Sequence, residues 1–196
     1  MSLAHLFPAN LTQQSAIRQL IPGAVVKMLQ EMNDGTTKEK WFVVIEVNAS
    51  TVTCIINTNI PKLYASKPSM LACQIPLAPA THPFIHHDSH LDCSKVMPFP
   101  TANAIAQLSE KPEWFMGTAD AKLLGDMILA LNKAPTLNRR DAARYTSTLS
   151  QLISAASAQT NGSTIIPLAQ QSNSVGPPPI LPSGGLATDV ASKKTA

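Results

Sequence analysis

Residues 40–58 read KWFVVIEVNASTVTCIINT, and the fold turns on how this stretch is read. Phe42-Val43-Val44-Ile45-Glu46-Val47 is β-branched and apolar, and so is Val52-Thr53-Cys54-Ile55-Ile56. Asn48-Ala49-Ser50 between them is turn chemistry, so the stretch predicts two antiparallel strands joined by a tight connection. Both runs carry apolar side chains on both faces. Such strands belong in a sheet covered on both sides or in a small closed barrel.

Working outward, Pro22-Gly23 turns the chain into a strand expected over 24–30, and a polar loop over 31–40 contains the turn signal Asn33-Asp34-Gly35. Residues 1–22 read as an N-terminal arm with a short helix over 10–19. After the hairpin, 59–69 is irregular, and 71–75 reads as a short strand that Pro76 and Pro79 confine to an edge. Residues 82–100, HPFIHHDSHLDCSKVMPFP, read as an extended run, and 101–108 as a helical turn. Two helices follow. The first takes Thr118 as N-cap, with Leu124, Met127, Ile128 and Leu131 at helical spacing. The second takes Asn138 as N-cap with Asp141 three residues on, a variant of the capping box, and fades near Ala158. From 159 on, Ser, Gly, Gln and Pro dominate and predict a disordered tail. The expected organisation is an arm (1–22), a β-barrel domain (23–117), C-terminal helices packed on it (118–158) and a tail (159–196). The fold class is mainly β with C-terminal α.

The chain has 196 residues, 44% of them hydrophobic, enough for one sizeable core. Fifteen basic and twelve acidic residues give a net charge of +3, too small an excess to demand nucleic acid. Cys54, Cys73 and Cys93 form no CxxC pair, and Cys54 sits in a predicted strand as a buried thiol. An odd cysteine count without a signal-peptide pattern predicts a reducing, cytoplasmic setting. No apolar run reaches the roughly 18 residues of a membrane span.

Residues 86–93, HHDSHLDC, are dense in ligand-type side chains. In an extended chain His86, Asp88, His90 and Asp92 share one face. That face reads as a polar strand face at a binding groove, as a structural strand with satisfied side chains, or as a divalent-ion site serving a hydrolase. No second His/Cys cluster completes an ion shell, so the expectation is no metal and no cofactor. Arg139, Arg140 and Arg144 open the last helix, and the choice there lies between a solvated face and a phosphate contact. Trp41, Trp114 and Phe115 read as core or dimer-interface aromatics.

The order of these pieces resembles a known family. Gly23-Ala24-Val25-Val26, Lys40-Trp41-Phe42-Val43-Val44, Cys54-Ile55-Ile56-Asn57-Thr58, and Met116-Gly117 before the helix at 123–131 match the pattern of MazF/PemK toxin endoribonucleases over 22–133. The resemblance implies a small SH3-like barrel acting as a homodimer, RNA as substrate, an antitoxin or other protein partner, and metal-independent cleavage of single-stranded RNA. In that family an arginine before the second strand and a threonine or serine at the end of the third carry the chemistry. Lys40 and Thr58 stand at those places. Where the family commonly has Arg-Pro, this chain has Lys40-Trp41, a compact charge instead of a planar fork. The implied site takes Lys40 as clamp and Thr58 as phosphate-positioning hydroxyl. His82, His86, His87 or His90 supplies a base, with His86 and His90 foremost. Lys38, Lys40, Arg140 and Arg144 would hold RNA. Read without the resemblance, Lys40 is a solvated edge lysine and Thr58 a turn hydroxyl. The competing function is an inactive barrel binding a protein or nucleic acid, with the Pro-rich segment 175–182 as a docking strand.

Overall fold

The structure, a computed structural model, describes residues 8–31 and 35–161. Most of the tail expected over 159–196 and most of the Asn33-Asp34-Gly35 turn lie outside them. Helix α1 (Ala9–Gln19) leads into β1 (Ala24–Glu31), β2 (Thr37–Val47) and β3 (Ser50–Asn57). A 3-10 turn, α2 (Pro68–Leu71), β4 (Gln74–Leu77) and the long β5 (Ser89–Pro100) follow. Then come α3 (Thr101–Glu110), β6 (Phe115–Thr118), α4 (Ala121–Leu131) and α5 (Arg139–Asn161). The strands make one curled antiparallel sheet, a half-barrel of order β4-β5-β3-β2-β1-β6 around the β2–β3 hairpin. The architecture is mainly β, with helices.

Apolar residues on both sides of the hairpin have one cause: each face of the sheet has its own core. Val25, Val43, Ile45, Cys54, Leu91 and Cys93 pack under α4 and α5, against Met127, Leu131 and Leu149. Val26, Met28, Phe42 and Val44 pack on the other side under α1 and α3, against Leu20, Ala104 and Leu108. A bulge between Val44 and Glu46 breaks the alternation of β2 against β3. Ile45 keeps the face of Val43 by ordinary alternation, and past the bulge Glu46 reaches Arg144 of α5 at 3.4 Å.

Gly23 ties β2 to the chain just after β6. Its N–H donates to the Val44 carbonyl and its own carbonyl accepts from Ala119 N, both at 2.8 Å. Its φ of +83° is a left-handed conformation that only glycine adopts without penalty.

Several expected boundaries move. Residues 37–40 belong to β2 and not to the polar loop, because they pair with Met28–Glu31 of β1. The stretch 68–72 folds as a helical turn behind Pro68, and the edge strand starts at Gln74. The helical turn expected over 101–108 is a ten-residue helix. Asp120, not Thr118, caps α4, its carboxylate accepting from Leu123 N at 2.7 Å. Asn138 does cap α5, accepting from Asp141 N at 2.9 Å. No helix among the described residues is long and apolar enough to cross a membrane.

Candidate functional site

The open end of the hairpin holds a cavity of about 220 Å3. Three strand ends converge on it. Glu39, Lys40 and Trp41 come from β2, Ile56 and Thr58 from the end of β3, and Ile85, His86, His87 and Ser89 from the approach to β5. Register explains the meeting: Trp41 lies opposite Ile56, and Ile56 opposite Leu91. The β4–β5 connection therefore lands beside Thr58.

Lys40, Thr58 and His86 are thus brought together, and His87 joins them. Thr58 Oγ1 lies 2.9 Å from His87 Nε2, and the edge of one ring of the His86–Trp41 pair meets the other with centroids 5.8 Å apart. The Thr58–His87 bond can run either way. If Thr58 donates, the Nε2 lone pair is occupied; if Nε2–H donates, Nδ1 of the neutral ring carries a free lone pair. Lys40 is in no ion pair among the described residues. Alternation along β2 sets its side chain off the face of Glu39 and Trp41. Its stem must bend round the strand for the ammonium to enter.

Among the described residues Glu39 is the one carboxylate on the cavity wall. Lys27 Nζ lies 2.5 Å from its Oε2, and Lys111 Nζ lies 3.9 Å from its Oε1. The hydrogen bond from Lys27 outweighs partial burial and holds the carboxyl below its ordinary range. Lys111 in turn sits over the Trp114 ring at 4.1 Å.

The face expected for His86, Asp88, His90 and Asp92 does not form, because 82–88 is turn and bend and β5 begins at Ser89. His86 lines the cavity, whereas His90 lies between Asn57 and Pro76 in the sheet and does not line it. Asp88 is exposed. Asp92 is buried, and its carboxylate is taken up by hydrogen bonds. It accepts from Tyr64 Oη (3.1 Å), Gln74 Nε2 (2.7 Å), Ser94 N (2.9 Å) and Ser94 Oγ (2.5 Å). Burial raises the Tyr64 phenol, and the neighbouring Asp92 charge adds to this. Among the described residues no three His, Cys, Asp or Glu side chains are grouped to hold a metal ion.

The basic residues proposed for RNA are dispersed. Lys38 is exposed on β2, opposite Gln30. Arg144 is engaged by Glu46 and by Asp141 at 3.2 Å, and it stacks on Tyr145. Arg140 is exposed near it. Glu46 is six residues along β2 from Lys40, roughly 20 Å of strand, so the α5 arginines do not share the cavity. Glu39 and Trp41 were not read as site residues. Their only signal was position, flanking Lys40 at the end of an apolar strand. A search of protein-family models finds no match to this chain, and a search of curated proteins finds none either.

Proposed function

We propose that this chain is a MazF/PemK-like endoribonuclease on an SH3-like half-barrel, cutting single-stranded RNA at the β2–β3 cavity. The observation that carries the reading is the convergence of Lys40, Thr58, His86 and His87 on one small cavity. The reaction needs no external nucleophile. The substrate's 2′-oxygen attacks the adjacent phosphorus, and its proton passes to a base. The bond from phosphorus to the 5′-oxygen breaks, and an acid protonates that oxygen. The products are a 2′,3′-cyclic phosphate and a 5′-hydroxyl. His87 suits the base when Nε2–H is donated to Thr58, because Nδ1 is then free. His86 suits the acid, and Lys40 the cation that offsets charge on the phosphorane.

A second reading is a barrel that binds RNA or protein without cutting it. The setting of the Lys40 side chain off the Trp41 face favours it. A homodimer and an antitoxin-like partner rest on the family resemblance. The test is incubation of a mixed single-stranded RNA in EDTA with the wild type, Lys40→Ala and Thr58→Ala. Discrete products with cyclic phosphate ends, lost in both variants, support the nuclease. RNA left intact at protein in excess over substrate overturns it and leaves the binding module.

A further inference from the structure

Resting on the RNA reading, we propose that the cavity holds one nucleobase against Trp41 and that Glu39 makes guanine the preferred base. Three observations lead there. At about 220 Å3 the cavity is smaller than the roughly 300 Å3 and above that drug-sized ligands occupy, so it suits one flat ring system. Its floor is apolar and aromatic, with Trp41, Ile56 and Ile85 backed by the first core. A base laid there gains stacking that every base can supply. Discrimination needs a polar group, and Glu39 is on the face of Trp41 by strand alternation.

An ionised carboxylate only accepts hydrogen bonds and has about four lone-pair sites. Lys27 and Lys111 engage one oxygen each from the side of β1 and Trp114, which fixes the group in place and leaves sites free. The four bases differ in what they offer such a group. Guanine presents two adjacent donors, N1–H and N2–H, on its Watson–Crick edge. Adenine and cytosine present one donor beside an acceptor, and uracil one donor between two carbonyls. Only guanine gives a carboxylate two parallel hydrogen bonds without an opposing lone pair. Glu39 is thus a specificity-determining residue, distinct from the groups assigned to the cleavage step.

The probes are four hexamers, 2′-O-methylated throughout, with one variable base in a uridine background. They bind but cannot be cut. Fluorescence anisotropy of end-labelled probe should give about tenfold tighter binding of the guanine hexamer by wild type, in the range of a good bidentate base contact. Glu39→Gln should erase that preference, since an amide offers one acceptor and one donor group. Trp41→Ala should weaken all four probes about tenfold, and Trp41→Phe, which keeps a stacking surface, should restore most of it. Equal binding of the four hexamers by wild type, or an undiminished guanine preference in Glu39→Gln, overturns the inference. Cleavage of natural RNA without base bias overturns it too, while the nuclease reading stands. Guanine-selective binding without cleavage supports it and removes the nuclease. No binding of any hexamer rejects both.

Discussion

At the residue scale, Thr58 and His87 allow chemistry to be separated from folding. Their hydrogen bond is exposed, so Thr58→Ala should change stability by less than about 0.5 kcal/mol. If the pair sets the tautomer of a working base, RNA cleavage should fall on the order of 100-fold, measured by initial rates beside a thermal melt. Glu39 gives a pH signature. Its folded pKa is depressed by Lys27, so its contribution to stability is present above the unfolded carboxyl value. It is lost as pH falls through the lower folded value. The melting temperature of Glu39→Gln should lie slightly below wild type at pH 7 and merge with it once the pH is below the depressed folded value. The effect should be small, because the group is largely solvated. The thiols give a third signature. Cys93 is held protonated first by its hydrogen bond with Cys54 and then by burial, and Cys73 chiefly by burial. All three cysteines are fully buried, so a thiol reagent should label none in the native protein and three after denaturation. Lys40 and Thr58 were pointed to by the family resemblance, and both line the cavity; Cys54 was legible as a buried strand thiol. Glu39 was hidden because a lone charge in a Lys/Glu run reads as solvated surface. It shares the face of Trp41 by alternation, but only because 37–40 is strand paired with β1 and not loop.

At the element scale, the helices were legible where local chemistry decides them. Asn138 with Asp141 marks the start of α5, and the apolar spacing of Leu124, Met127 and Leu131 marks the buried stripe of α4. The cap of α4 slipped by two residues because Thr118 is spent on pairing with Ala24 in β6, which leaves Asp120 to cap. The alternation assumed over 86–92 failed because the chain is turn and bend through 88 and extends only from Ser89. Asp92 accepts from Tyr64 and Gln74, which lie 28 and 18 residues earlier, and no periodicity encodes that. This network ties the 3-10 turn, β4 and β5 together. Asp92→Ala leaves Tyr64, Gln74 and Ser94 without their shared acceptor and should cost roughly 2–3 kcal/mol by urea unfolding. Gly23→Ala should cost about 1–2 kcal/mol at a φ of +83°, although a Cβ there would meet Leu152 only at an ordinary 3.5 Å.

For the whole molecule, the two-sided apolar hairpin was the most informative reading, since it called for cover on both faces and the helices supply it. The helix over the second face was underestimated, because Thr101–Glu110 begins directly after Pro-Phe-Pro with no side-chain cap to announce it. Two cores on opposite faces of one sheet make a testable pair. Leu149→Ala under α5 and Leu108→Ala under α3 should each cost about 2–5 kcal/mol. Their effects in the double variant should add to within about 0.5 kcal/mol, as sites without shared partners do. Non-additivity in a urea titration would mean that the sheet transmits strain between its faces. The connection from β4 to β5 adds a different consequence. Residues 78–81 and 83 are exposed, and the chain turns there directly before Ile85 and His86 enter the cavity wall. Upstream, Asp92 anchors β4; downstream, the ladder of β5 on β3 holds the wall. A stretch so held at both ends is a natural splice point. Sequence can be exchanged or lengthened there with the cores untouched, so one scaffold can carry a series of different cavity rims.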